Sequence, residues 1–200
     1  MSRELSLTVA TAAQMRSVGR SLATVLRAGD LVILSGGLGA GKTTLTQGIG
    51  DGLGVRGPIT SPTFVIARVP PPAARPAATG ELAPALVHAD AYRLGSALEL
   101  DDLDLDTDTA ASVTVVEWGE GLAEGLAADR LEIAITPAAA GAPVAGDPVP
   151  SGPLPGETAA GSEGDPGDPT GDMPRMVRIS AVGERWEGVK LPLASRADRL

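Results

Sequence analysis

Gly36 through Thr44 read GGLGAGKTT. From Gly36 to Thr43 this is the pattern G-x-x-x-x-G-K-S/T, and its flanks matter as much as the match. Leu31-Val32-Ile33-Leu34 is a short apolar run suited to a buried strand, and helix-compatible residues begin near Lys42. Strand, glycine loop and helix in that order let main-chain N–H groups and a helix N-terminus surround a phosphate chain. The predicted phosphate cradle is Gly36, Gly37, Leu38, Gly39, Ala40, Gly41, Lys42, Thr43 and Thr44. Lys42 is placed to reach the terminal phosphates and the Thr43 hydroxyl to sit on Mg²⁺.

The rest of the composition narrows the field. Two hundred residues suit one domain with appendages. The chain is 43% apolar but only 2% aromatic, so its core is built from Leu, Val, Ile and Ala. A net charge of −9 argues against a protein that grips nucleic acid through its own basic surface. Without cysteine there are no disulfides or thiolate metal sites, and a single histidine excludes a His-rich one. The opening MSRELSLTVATAAQ lacks the apolar stretch of a signal peptide, and no run approaches the length of a bilayer span. A soluble cytoplasmic protein is expected.

Residues 5–9 alternate weakly, as an edge strand does. Thr11-Ala12-Ala13-Gln14 has capping-box form, and Met15, Val18, Leu22, Val25 and Leu26 then recur at helical spacing up to a stop at Gly29. A helix is predicted from Thr43 to about Leu53, weakened in its second half by Gly48, Gly50 and Gly52, each costing roughly 1 kcal/mol relative to alanine. Further strands are predicted at residues 64–69, 85–89, 113–116, 131–136 and 176–182. Residues 94–105 suggest a short helix and turn, 119–129 a short helix, and 70–84 a Pro- and Ala-rich connector.

Residues 137–175 differ in kind: 17 of these 39 residues are Pro or Gly, and six carboxylates face one arginine. Large apolar side chains are nearly absent, so the segment cannot bury enough surface to offset its ordering entropy. It is expected to be a disordered insertion between two paired strands. The domain plan is then 1–136 for the main domain, 137–175 for the insertion, and 176–200 for a completing strand and tail.

Three segments are placed to add chemistry at the ends of parallel strands. Glu117 follows the apolar run Val113–Val116, where a carboxylate holds a metal or its water in a phosphate-loop protein. Asp90, in His88-x-Asp90-x-Tyr92-Arg93, ends a buried strand. It either orients or deprotonates a water, serves near Mg²⁺, or pairs with a cation such as Arg93. His88 faces the same side and reads as structural, and Tyr92 as packing. Thr60-Ser61-Pro62-Thr63 is either a nucleotide sensor or a plain strand-initiating turn. Trp118 and Trp186 read as packing or interface residues.

Together GGLGAGKTT, SPTF, HADAYRL with Glu99 downstream, and VEWGE, in this order and spacing, resemble the TsaE (YjeE) family of small bacterial P-loop ATPases. That family is needed to form threonylcarbamoyladenosine in tRNAs that read codons starting with A. The resemblance covers about residues 5–136 and again 176–186. It implies an α/β fold, P-loop NTPase-like and three-layered, with a mixed, mainly parallel sheet and few flanking helices. It implies slow ATP hydrolysis coupled to a pair of TsaB and TsaD family proteins, of which TsaD performs the carbamoyl transfer. Carried over by position, Gly39 to Thr44 bind the phosphates of ATP, Thr43 and Glu117 serve Mg²⁺, Asp90 is the catalytic carboxylate acting with Lys42 and Glu117, and Trp118 lies close by. Gly37 stands where the family commonly has Asp, residues 11–13 are less acidic than usual near the adenine, and the 137–175 insertion is not a usual element.

Two other functions fit a phosphate loop. A small-molecule kinase usually carries an Arg-rich lid, whereas residues 94–110 are acidic. A non-hydrolysing nucleotide-dependent interaction module stays open. A GTPase switch would read guanine through Asn-Lys-x-Asp, and the absence of any asparagine argues against it. No strong direct tRNA binding and no membrane association are expected.

Overall fold

A computed structural model describes residues 3–62, 67–68, 84–94, 96, 99, 111–138 and 173–193. At its centre β2 (Leu31–Gly36) runs parallel to β5 (Ser112–Glu117) on one side and to β6 (Arg130–Pro137) on the other. β4 (Ala85–Asp90) lies parallel beyond β5, and the short β3 (Ala67–Arg68) pairs antiparallel with β4. On the far side β7 (Arg175–Val182) pairs antiparallel with β6, and β1 (Arg3–Val9) antiparallel with β7. The sheet order is β1-β7-β6-β2-β5-β4-β3, a parallel centre with antiparallel margins. The alternating residues 5–9 form the edge strand their pattern predicts.

Two helices, α1 (Ala12–Ala23) and α2 (Lys42–Leu53), cover one face together. Thr11 Oγ1 accepts the N–H of Gln14 (3.1 Å), and Gln14 Oε1 accepts that of Ala10 (2.7 Å), one residue ahead of the cap itself. The helix ends at Ala23 rather than running to Gly29. Its last turn tightens as the Val25 N–H bonds to the Leu22 carbonyl (3.0 Å) and the Thr24 hydroxyl to Ser21 (2.7 Å), yet Leu26 is still buried.

The glycines expected to weaken α2 do not shorten it. A Cβ at Gly48 would overlap the backbone of Arg16, one at Gly19 the backbone of Leu45, and one at Gly52 the Cβ of Ala23 at 2.5 Å. These glycines let two helices touch along their backbones. The dispersion gained at that contact outweighs the propensity lost in an isolated helix.

The other face carries a smaller cluster of Leu31, Ile33, Val87, Ala89 and Val116, capped by Ala123 with Leu122 and Leu126 against it. Residues 119–129, expected to be a short helix, instead form turns and one 3₁₀ turn at Glu124–Leu126. Gly121 sits at φ 79°, a left-handed conformation that interrupts a right-handed helix. Among the described residues this segment is the third layer.

The C-terminal segment is clasped to the centre. Arg185, in a 3₁₀ turn at Glu184–Trp186, donates to both carboxylate oxygens of Asp30 (3.1 and 3.0 Å) and to the Val25 carbonyl (2.7 Å). Asp30 is 4% exposed. Trp186 is buried in the main core, as its packing reading expects. The expected strand at 64–69 is described only at Ala67–Arg68. Of the connector expected at 70–84 all but Pro84, and most of 94–105, lie outside the described residues. Of the insertion expected at 137–175, Pro137 and Arg175 instead pair as the ends of β6 and β7, and 139–172 lie outside the described residues. No helix among the described residues is long and apolar enough to cross a membrane.

Candidate functional site

The site stands at the carboxyl ends of three parallel strands. Register sets Leu34 beside Glu117, and Glu117 beside Asp90, so β2, β5 and β4 finish in one row. β2 runs into the loop, and Asp90 and Glu117 are the last residues of their strands. Gly41, at φ 104°, precedes α2 and turns the chain into it. The first intrahelical bond is Leu45 N–H to the Gly41 carbonyl (2.9 Å). The amides of Lys42, Thr43 and Thr44 precede it and are left for an anion. No Cβ fits at Gly36, where it would overlap the Ile135 carbonyl. At Gly37 the space is open, so packing does not impose glycine there. Leu38, at the loop tip, is 92% exposed.

Lys42 is folded onto the loop. Its Nζ donates to the carbonyls of Gly36 and Gly37, each at 2.9 Å, and lies 3.7 Å from the centre of the Trp118 ring. Burial lowers its pKa, while the neighbouring charges of Glu117 and Asp90 pull it upward. The Thr43 hydroxyl donates to Glu117 Oε1 (2.9 Å), and His88 Nε2 stands 2.8 Å from the same oxygen. Burial raises the pKa of Asp90; the Tyr92 N–H on its Oδ1 (2.8 Å) lowers it, Glu117 raises it, and His88 and Lys42 lower it.

Trp118 is the one non-glycine residue among those described with positive φ, at 59°. Such a conformation costs about 1–3 kcal/mol. It is held by the bond from the Trp118 N–H to the Leu34 carbonyl (2.8 Å), and it accompanies the stacking of the ring on Lys42. Tyr92, expected to pack, is 62% exposed and meets Trp118 with ring centres 5.0 Å apart. Thr60 and Ser61 are exposed and Pro62 buried. The segment before them is tied to α2 by Gln47 Nε2 on the Ile59 carbonyl (2.9 Å).

The structure therefore brings Lys42, Thr43, Asp90, Glu117 and Trp118 together. It adds His88, which reads as a core residue in sequence, although its alternation with Asp90 signalled the shared face. No group of three acidic, His or Cys side chains among the described residues encloses a metal. Mg²⁺ in phosphate sites takes only one or two protein oxygens beside phosphate and water. A Thr43 hydroxyl whose proton goes to Glu117 fits that need, since its lone pairs stay available.

A glycine loop between a parallel strand and a helix, with carboxylates closing the adjacent strands, defines a protein of the P-loop class. The family model described as "Threonylcarbamoyl adenosine biosynthesis protein TsaE" matches residues 9–142. The tRNA threonylcarbamoyladenosine biosynthesis protein TsaE of Streptomyces coelicolor is 50% identical over 173 residues, 86% of this chain and 93% of that protein. Its Mycobacterium tuberculosis namesake is 54% identical over 123 residues, 58% of this chain and 70% of that one. The crystal structure of YdiB from Bacillus subtilis superposes with a TM-score of 0.60 at 26% identity, covering 94% of this chain and 91% of that one. The chain belongs to the TsaE family.

Proposed function

We propose that this chain is a Mg²⁺-dependent ATP hydrolase that supports threonylcarbamoyladenosine formation in tRNA by acting on a pair of TsaB and TsaD family proteins. The observation that carries the ATPase reading is the meeting of the Lys42 ammonium, the loop carbonyls and the Thr43–Glu117 pair beside three unpaired helix amides. Family membership supports the pathway. The acidic net charge of −9 supports a route through partner proteins rather than through tRNA held on this surface.

Lys42 leaves the Gly36 and Gly37 carbonyls for the β- and γ-phosphates, and the loop amides hold the same oxygens. Thr43 and Glu117 would hold a Mg²⁺, which would supply neutralisation of charge on the transferred phosphoryl group. Water attacks the γ-phosphorus, the bond to the ADP oxygen breaks, and Asp90 takes the proton of that water on Oδ2, the oxygen not held by Tyr92. Trp118 and Tyr92 shield the lysine from bulk water, which strengthens its pull on phosphate. Turnover is slow in isolation on this reading. The cation fixed at the loop is Lys42, and Arg93, in the exposed turn after Asp90, is the candidate for a second.

Calorimetry with ATP, ADP and GTP, with and without Mg²⁺, tests the site. Adenine nucleotides bind preferentially, and Lys42→Ala weakens ATP about hundredfold, the size of a lost charge contact in a sheltered site. Equal affinity in the variant removes the proposal. Phosphate release from Asp90→Ala and Glu117→Ala separates hydrolysis from a binding-only module: an unchanged background rate in both leaves a module that binds and does not cleave.

A further inference from the structure

His88 is 1% exposed and lies on the same face of β4 as Asp90. Its register partner is Val115, while Glu117 is paired with Asp90, so the ring reaches one step along the sheet to place Nε2 2.8 Å from Glu117 Oε1. The other nitrogen, Nδ1, is buried and meets no hydrogen-bond partner among the described residues. Packing alone does not explain this, because an apolar side chain would fill the space without a bare polar atom. The bond to Glu117 is what the imidazole contributes. Thr43 donates to that same Oε1, so two donors from different elements fix the rotation of one carboxylate. The Lys42 ammonium feels the Glu117 charge while its Nζ is held by the Gly36 and Gly37 carbonyls.

We propose that His88 is a positioning residue for the metal side of the site. Its Nε2 holds Glu117 Oε1 where Thr43 donates its proton, so the Thr43 lone pairs face the cation. It also keeps Glu117 from turning onto Lys42, which leaves the ammonium for phosphate. The role rests on the Mg²⁺–nucleotide reading above, and it concerns an outer contact of the kind that orients metal ligands elsewhere.

The test titrates Mg²⁺ against the full chain with a non-hydrolysable ATP analogue and reads binding by calorimetry. His88→Leu raises the Mg²⁺ concentration at half-effect about tenfold, and His88→Gln, which keeps an N–H near the Nε2 position, stays within about threefold of the parent. In a Glu117→Ala background His88→Leu adds no further shift. Should His88→Leu lose a cooperative melt, His88→Asn, too short to reach Glu117, replaces it with the same expectation. The proposal is overturned if the leucine variant keeps the parental Mg²⁺ dependence, if the glutamine variant is as impaired as leucine, or if the shift persists without Glu117. A parent chain that binds the analogue with no Mg²⁺ dependence points instead to failure of the underlying site reading, and the His88 role falls with it.

Discussion

The parallel centre of the sheet and its antiparallel flank are built by different rules. All six residues of β5 and five of six in β4 are buried, whereas β6 and β7 alternate buried and open positions. A strand covered on both faces accommodates a carboxylate poorly except where it leaves the sheet. Glu117 and Asp90 are accordingly the last residues of β5 and β4, and they gather beside the loop that ends β2. The flank has one polar face, pairs antiparallel between segments far apart in sequence, and leads into the segment that follows residue 138. It supplies closure: β7 and Arg185 complete the core. The site groups stand where buried strands end, and the clasp of Arg185 on Asp30, 4% exposed, ties the flank to that centre.

The sharpest way to break this division is at the clasp. Arg185→Met leaves the buried Asp30 carboxylate without its partner and lowers unfolding stability by about 3 kcal/mol in urea titration. Nucleotide affinity stays within about twofold if the two regions are separate, and a matching fall in affinity would merge them. Next in size is the helix contact behind the loop. Gly48→Ala drives a methyl into the Arg16 backbone and costs about 2 kcal/mol by the same titration. A neutral or stabilising result would mean that α2 carries its glycines for another reason.

A smaller effect is expected at the parallel edge itself. Burial raises the Asp90 pKa from its ordinary 3.8, so the native state favours the protonated form. Its ionised form opposes folding above the raised value, and that penalty disappears as pH falls below 3.8. Asp90→Asn in EDTA therefore melts higher than the parent at pH 7, and the gap closes as pH falls toward 3.8. A gap that widens in acid reverses the sign of the argument. For affinity, least is expected from replacing residues 139–172 by a turn of about four residues: three halvings of loop length relax the closure cost by roughly 2 kcal/mol, and ATP affinity is unaltered. A large loss of affinity would give that segment a role at the site.

The phosphate loop was legible because its chemistry is local: Gly36 to Thr43 supply amides, a cation and a hydroxyl within one turn, flanked by an apolar strand. The strand-end placement of Glu117 and Asp90 was legible for a similar reason, each following an apolar run. The span of α2 was legible as well, expected from Thr43 to about Leu53 and observed at Lys42–Leu53. The place of Gly48 and Gly19 was not, since they weaken helices in isolation and strengthen them only where two backbones meet. Neither was the turn at 119–129, where a positive φ at Gly121 stops a pattern that reads as helical.

From residue order alone came the glycine loop with its Lys42 and Thr43, the acidic character that disfavours direct tRNA contact, and the family. These follow from side-chain chemistry and spacing along the chain, which folding does not change. The Trp118 ring over Lys42, the exposed Tyr92 against it, and the His88 bond to Glu117 required the packed molecule. Each joins residues of separate elements, at 3.7, 5.0 and 2.8 Å, and those distances are set by packing, burial and hydrogen bonding rather than by sequence separation.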